Sequence, residues 1–391
     1  MRLGQVALLQ GGGVMSANTK KSVAFEEHFA GVSDPRRRKV AYPLVNILMI
    51  AVCAVLCGAD DFVAIAHFGR AKKKFFKKFL DLGAGIPSHD RFNAIFRAIK
   101  PAEFEKCLLG WITALHEITD GQIVAIDGKT LRRSFDAGSG KAAIHMVSAW
   151  ATANHVSLGQ VVVDEKSNEI TAIPKLLEML ELSGGLVTID SMGCQTEIAR
   201  AILDAGADYV LAVKGNQPTL HYGVATFFDS HLQDDFACVK VRRHETHEHH
   251  HGRDEMRFYY VCSVPDNFPD RERWPGLRAI GLTINNTVRA GKECIEYRYY
   301  ILSKFLSAGR FAEAVRSHWS IENRLHWQLD VTFQEDQSRI RRGHADANFS
   351  IVRRFAVSLL KNNRTKKIGL KNKRLAAGWD DDYLLELLLG T

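Results

Sequence analysis

From residue 121 the hydrophobic pattern follows one order of elements, and that order restricts the fold more than any other feature of the chain. QIVAID (122–127), AIHMVSAWA (143–151) and HVSLGQVVV (155–163) are strand-like runs separated by polar or glycine-containing turns. A helical pattern follows in AIPKLLEMLEL (172–182), with Pro174 expected in its first turn, where a missing amide donor is harmless. Next come a short buried strand LVTID (186–190), a helix TEIARAILDAG (196–206) and a strand DYVLAV (208–213).

Three strands, helix, strand, helix, strand is the order of a ribonuclease-H-like α/β core, which needs one more helix. The pattern delays that helix until about Ala308. Residues 218–302 instead hold runs rich in Tyr, Val and Ile, such as MRFYYVCSV, LRAIGLTINNTV and CIEYRYYILS, which read as a β-rich insertion. A segment of this size is surplus to the core, and its Tyr- and Val-rich runs argue against disorder, so it is expected to be a functional addition whose removal leaves the core folded.

Asp127 ends the first strand, Asp190 ends the fourth, and Glu322 lies in SHWSIENRLHWQLDVTF (317–333) on the delayed helix. Groups with a chemical task collect at the carboxyl ends of parallel strands, where the sheet fixes the origin of loops that are free to vary. Singly, each acid has a plain alternative: Asp127 as a turn residue before Gly128, Asp190 as a helix cap before Ser191, Glu322 as a surface group. Together, three carboxylates without matching cations repel one another unless divalent metal ions intervene. Mg2+, with Mn2+ as a substitute, prefers hard oxygen ligands and retains waters, so a few carboxylates and a phosphate suffice. Two such ions roughly 3.5–4 Å apart activate an attacking oxygen and stabilise a leaving one in phosphoryl transfer. Asp330, two turns beyond Glu322, is the competing third acid.

Residues 23–118 read as a helical domain. Its longest apolar run, Leu44 to Cys57, is 14 residues long, whereas a bilayer takes roughly 20, so a buried helix is expected and no membrane span. The opening MRLGQVALLQGGGV lacks a sustained apolar stretch before a cleavage site, so residues 1–22 are expected to be a poorly ordered extension. Seven scattered cysteines without a C-x-x-C pair argue against a disulfide framework or a zinc ribbon and suit a reducing cytoplasm. The net charge of +8 is concentrated in RAKKKFFKKF (70–79) and KNNRTKKIGLKNKR (361–374). Such clusters suit a polyanionic partner, most often nucleic acid. The second cluster lies in a stretch, 356–391, that reads as a basic and helical tail.

Several blocks resemble the DDE transposases of bacterial insertion sequences, in the branch of the H-repeat-associated proteins. They are AIDGKTLRRS (125–134), EKSNEITAIPKLLE (165–178), VTIDSMGCQTEIA (187–199), YVLAVKGNQ (209–217), HGRDEMR (251–257) and HWSIENRLHWQLDVTFQED (318–336). FAGVSDPRRRKVAYPL and GIPSHDRF are similar to the helical domain that precedes the catalytic domain in that family. The resemblance spans about 25–385 and implies a catalytic domain over 119–355, with Asp127, Asp190 and Glu322 as its metal-binding acids. It also implies a DNA transposase that cuts and joins the ends of its own insertion sequence, acting on double-stranded transposon ends and target DNA as a homodimer, cytoplasmic and nucleoid-associated. Two other readings stay open: a stand-alone endonuclease with no joining step, and a catalytically decayed DNA-binding protein that keeps the fold. Related families carry an Arg four residues before the catalytic Glu and a Lys seven after it. Here those positions are His318 and Leu329, and Arg316 or His326 are the substitutes.

DNA contacts are expected from residues on the catalytic edge: Lys129, Arg132 and Arg133 after Asp127, and Lys214, Asn216 and Gln217 after the fifth strand. Beyond the catalytic helix, Arg339, Arg341, Arg342, Arg353 and Arg354 are expected on the DNA backbone. His251, Arg253 and Arg257 are the candidates in the insertion. Trp319 and Trp327 are expected in the core rather than stacked on a base. HETHEHHHGR (244–253) is expected to be a solvated loop rather than a metal tract.

Overall fold

A helix that is apolar all round needs partners on every side. The run from Leu44 is such a helix, α1 (Leu44–Leu56), buried from Asn46 onward. A computed structural model describes the protein over residues 26–37, 40–115, 122–135, 142–163, 168–250 and 252–390, so the N-terminal extension and His251 lie outside the described residues. After α1 come α2 (Phe62–Ala71), α3 (Lys73–Phe76), α4 (His89–Ala98) and α5 (Pro101–Leu115). Asp61 caps α2 and Ser88 caps α4, each accepting from an amide three residues on.

The α/β part begins with an antiparallel meander of β1 (Ile123–Thr130), β2 (His145–Ala151) and β3 (Val156–Val163). Helix α6 (Glu169–Glu178) leads to β4 (Leu186–Ile189), and α7 (Thr196–Asp204) leads to β5 (Asp208–Val213). β4 runs parallel to β1, and β5 runs parallel to β4. Because α6 starts at Glu169, Pro174 sits inside the helix rather than in its first turn. It has no N–H for the Ile170 carbonyl, and the helix tolerates the loss.

The insertion differs from its expectation in two ways. It opens with a helix, α8 (Pro218–Gln233), directly after β5. Its strands β6 (Val241–His250), β7 (Arg253–Ser263), β8 (Ala279–Arg289) and β9 (Lys292–Leu302) then continue the core sheet. β9 pairs antiparallel with β5, giving the nine-stranded order β3-β2-β1-β4-β5-β9-β8-β7-β6 among the described residues. The insertion is therefore no separable subdomain, since removing it would leave β5 with an unpaired edge. The histidine tract is not a loop either: residues 244–250 lie in β6, paired with β7.

Helix α9 (Ala308–Ser320), capped by Ser307, crosses one face of this sheet. Phe311, Ala312, Ala314 and Val315 pack on Ile123, Leu186, Val210, Tyr259 and Val261, which come from β1, β4, β5 and β7. A π-helical turn, Ile321–His326, and α10 (Trp327–Val331) continue it. Then α11 (Ala345–Asn362), buried from Ala345 to Leu360, wedges between the sheet and helices α1, α4 and α5. It runs unbroken through the boundary expected at 355. α12 (Leu370–Trp379) and α13 (Asp381–Leu389) return to the N-terminal helices, where Trp111 Nε1 donates to the Leu388 carbonyl at 3.2 Å and Lys72 pairs with Asp381 at 2.7 Å. Two cations of the expected basic tail are spent on this packing: Lys373 donates to the Leu360 carbonyl at 2.9 Å and Arg374 to that of Val55 at 2.9 Å. No described helix is long and apolar enough to cross a membrane.

Glycine at 281 sets how closely α9 approaches the sheet, because a Cβ there would lie 2.6 Å from Phe311 Cζ. Phe311 is fully buried and has nowhere to move. Gly281→Ala is expected to lower stability by about 1–3 kcal/mol in urea unfolding. An unchanged midpoint would show that α9 does not pack there.

Candidate active site

The pairing of β1 with β4 builds the site. Ile123 stands opposite Leu186 and Ile126 opposite Ile189, so the next level up holds Asp127 and Asp190, on strands about 4.8 Å apart. The two-residue period puts both side chains on the face of Ile123 and Leu186, which α9 covers. Asp127 Oδ1 accepts from the Gly128 amide at 2.9 Å, and Asp190 Oδ1 accepts from Met192 N at 3.0 Å and Gly193 N at 3.3 Å.

Glu322 comes to this face from the π-helical turn. A π turn changes the phase of the side chains, and here it buries Ile321 and Leu325 while leaving Glu322 exposed. Two imidazoles flank it at four-residue spacing. His318 Nδ1 lies 3.5 Å from the Thr188 hydroxyl on β4, and His326 Nδ1 lies 3.5 Å from Asp127 Oδ2. Burial lowers the pKa of both, that of His326 to about 3, so neither neutralises its carboxylate neighbour near pH 7. Burial also pushes Asp127 up to about 7, and the charges of Glu322, Asp190 and Glu169 add to the rise against the opposing Gly128 amide.

This donor set is hard, anionic and short of cations, which fits a divalent ion such as Mg2+. Among the described residues no three His, Cys, Asp or Glu side chains already stand grouped for a metal ion. Closure round one requires the half-buried Asp190 and exposed Glu322 to turn inward. Asp330, the competing acid, is bound elsewhere, at 2.6 Å from Lys129 Nζ.

The expected DNA contacts divide into two groups. Arg132 and Arg133 are exposed beside β1, Lys214 is exposed after β5, and Arg339, Arg341 and Arg342 line a cavity of about 420 Å³ with Phe62 and Asn93. Arg132 also pairs with Asp336 at 3.3 Å and Arg341 Nε donates to the Arg339 carbonyl at 3.3 Å, while the remaining candidates are engaged more fully within the protein. Lys129 is buried among Asp330, Asp336 at 3.1 Å and Glu335 at 3.6 Å. Asn216 and Gln217 donate to the Ser191 and Cys194 carbonyls at 2.7 and 3.0 Å, tying the loop after β5 to the loop that carries Asp190. Arg316 and Arg257 share Glu248, at 2.6 and 2.9 Å, which locks α9 to β6 and β7, and Arg253 pairs with Glu255.

Two expectations are corrected here. Arg353 and Arg354 are 1% and 2% exposed and face Glu335, so they do not reach the DNA backbone. Trp319 and Trp327 are 40% and 52% exposed rather than in the core, the first lying under the Arg298 guanidinium at 4.4 Å. A pair that sequence reasoning passed over, Glu169 and His145, lies 2.6 Å apart beside Gly128. Their only sequence signal was an acid in the first turn of a helix that opens beside the sheet edge.

The sheet order and the acids at its edge are those of the ribonuclease-H-like class. Residues 118–359 match the model of the transposase DDE domain and residues 26–112 that of its associated domain, and the chain belongs to the DDE transposase family. YncI of Escherichia coli O157:H7 is 43% identical over 367 residues, covering 93% of each chain. The H repeat-associated YhhI of Escherichia coli K12 is 39% identical over 376 residues, covering 93% of this chain and 97% of its own, and both relatives bear transposase names. The protein is thus an enzyme of the DDE transposase type with DNA as its substrate class, in a family that works with divalent metal ions.

The buried charge has a consequence in the metal-free protein. Asp127 holds a proton up to about pH 7 when folded but releases it near 3.8 when unfolded. The folded state therefore binds more protons between those values, and stability falls as pH rises through them, by up to about 1.4 kcal/mol per unit. Without metal, Asp127→Asn is expected to flatten this fall and to melt above the wild type at pH 8. Parallel pH profiles would contradict the buried, repelled state of Asp127.

Proposed function

We propose that the protein cuts and joins DNA at the ends of its own insertion sequence, with Asp127, Asp190 and Glu322 as the acids that hold Mg2+. The parallel register that sets Asp127 beside Asp190 under Glu322 carries this reading. The Gly128 amide holds the Asp127 carboxylate in place beforehand, which reduces the reorganisation that ion binding demands. When bound, Mg2+, or Mn2+ in its place, supplies the positive charge that activates the attacking oxygen and stabilises the leaving one. His318 and His326, kept neutral by burial, fix the surrounding side chains without competing as cations. Arg132, Arg133, Lys214, Arg339, Arg341 and Arg342 take the DNA phosphates, and Arg253 the transposon end beside the β6–β7 hairpin. The working assembly is a homodimer on paired ends, located with the nucleoid.

Purified protein, labelled element ends and Mg2+ test the reading, and joined products are the expected result. Cut products alone would make it an endonuclease, and a mobility shift without cutting would make it a decayed DNA-binding protein. Asp127→Asn, Asp190→Asn and Glu322→Gln each remove one anionic ligand with little change of shape. Each is expected to lower cleavage by about three orders of magnitude or more, the equivalent of several kcal/mol of transition-state stabilisation, while DNA binding persists. Near-normal cutting by Glu322→Gln with loss in Asp330→Asn would move the third role to Asp330.

Phosphate contacts release counterions, so affinity falls with salt by about 0.9 in log K per log unit for each phosphate neutralised. Replacing Arg339, Arg341 and Arg342 with Gln is expected to flatten that slope by up to about 3. An unchanged slope in filter binding would take this segment out of the interface.

A further inference from the structure

Gly128 is the seat of two acids. Its amide holds Asp127 Oδ1 at 2.9 Å, and a Cβ on the same residue would overlap Glu169 Oε1 and lie 2.7 Å from His145 Nε2. No side chain other than hydrogen fits there without displacing the Glu169 carboxylate. Pairing with β4 reaches only to Ile126, so the edge of β1 from Asp127 onward is open on that side. Successive residues of β1 face opposite ways, so the Asp127 carboxylate and the Glu169 carboxylate, which rests against the Gly128 Cα, approach this open edge from the two faces of the sheet.

Glu169 is also held deliberately. It is the first residue of α6, and its Oε1 lies 2.6 Å from His145 Nε2. The other ring nitrogen of His145 lies 2.7 Å from the Thr130 hydroxyl on β1. The contact with Thr130 fixes the ring, and the ring fixes one carboxylate oxygen. The second oxygen of Glu169 accepts no hydrogen bond among the described residues, and the side chain is only 18% exposed. Fixing a carboxylate by an imidazole while leaving one oxygen unused is how an anion is positioned for a cation.

We propose that Glu169, oriented by His145, is a fourth carboxylate of the metal site, seated with Asp127 on Gly128. The proposal rests on the metal-dependent reading of the site. A salt-bridge role for the pair would not require the carboxylate to sit against Gly128. It would also place no further anion beside an acid that already suffers from three uncompensated neighbours, Glu169 among them.

Mn2+ binding by the full chain, read without DNA as a metal-induced rise in melting temperature and by calorimetric titration, tests this. Glu169→Gln keeps a hydrogen-bonding partner for His145 and removes only the charge. Mn2+ affinity is expected to fall by about tenfold to a hundredfold, while the metal-free melting temperature stays level or rises as the repulsion on Asp127 is relieved. His145→Ala, which frees the carboxylate without discharging it, is expected to give a smaller loss of affinity. Asp127→Asn serves as the reference. If Mn2+ stabilises neither the wild type nor any variant, the metal reading of the site fails. If the wild type responds, Asp127→Asn does not, and Glu169→Gln binds Mn2+ as the wild type does, the fourth carboxylate is refuted and the metal reading stands. A metal-free melting temperature that drops in Glu169→Gln with unchanged Mn2+ affinity would likewise assign the pair a purely structural role.

Discussion

Everything at the catalytic edge depends on the parallel pairing of β1 with β4. That register brings Asp127 and Asp190 to neighbouring positions on one face, where burial first, and then the charges of Glu322, Asp190 and Glu169, raise the pKa of Asp127. The fold tolerates the repulsion because the rest of the sheet is overdetermined. β1 is also paired to β2, β5 is closed off by β9, and α9 lies across β1, β4, β5 and β7. A stable frame can hold a locally unfavourable cluster of carboxylates.

A second charge cluster connects this edge to the helical part. Lys129, two residues after Asp127, is surrounded by Asp330, Glu335 and Asp336, and Glu335 in turn faces Arg353 and Arg354 on α11. Buried ion pairs of this kind contribute little net stability relative to an apolar filling, yet breaking one leaves an unpaired buried charge. Their value lies in specifying arrangement. They fix the segment after α10 against both β1 and α11, and with it the turn that carries Glu322. The N-terminal helices pack on α11, so the associated domain and the catalytic sheet share one apolar core.

The insertion takes part in the same frame. Arg316 on α9 and Arg257 on β7 meet on Glu248 of β6, and Gly281 on β8 admits the Phe311 ring. The strands surplus to a minimal core therefore support the catalytic helix from beneath. The distal β6–β7 hairpin leaves His247 and Arg253 exposed, each paired with a neighbouring acid.

The sequence alone determined what depends on short-range pattern. The alternation of apolar residues located β1 to β5, Ser88 marked the start of α4, the start of α9 near Ala308 was visible, and the acids at two strand ends and on one helix were legible from that order. Tertiary structure decided whatever depends on partners far along the chain. Arg353 and Arg354 look like surface cations until Glu335 is placed against them, and Lys129 looks like a phosphate ligand until Asp330, 201 residues away, takes its ammonium. Trp319 and Trp327 look like core, yet the first lies exposed on α9 against the Arg298 guanidinium and the second follows the π turn onto an exposed face. Glu169 looks like an ordinary helix-start acid until Gly128 and His145 are seen to seat it. Hydrophobic period is a property of neighbours in sequence, whereas the burial and pairing of a charge are set by the electrostatics of neighbours in space, and a linear pattern does not encode these.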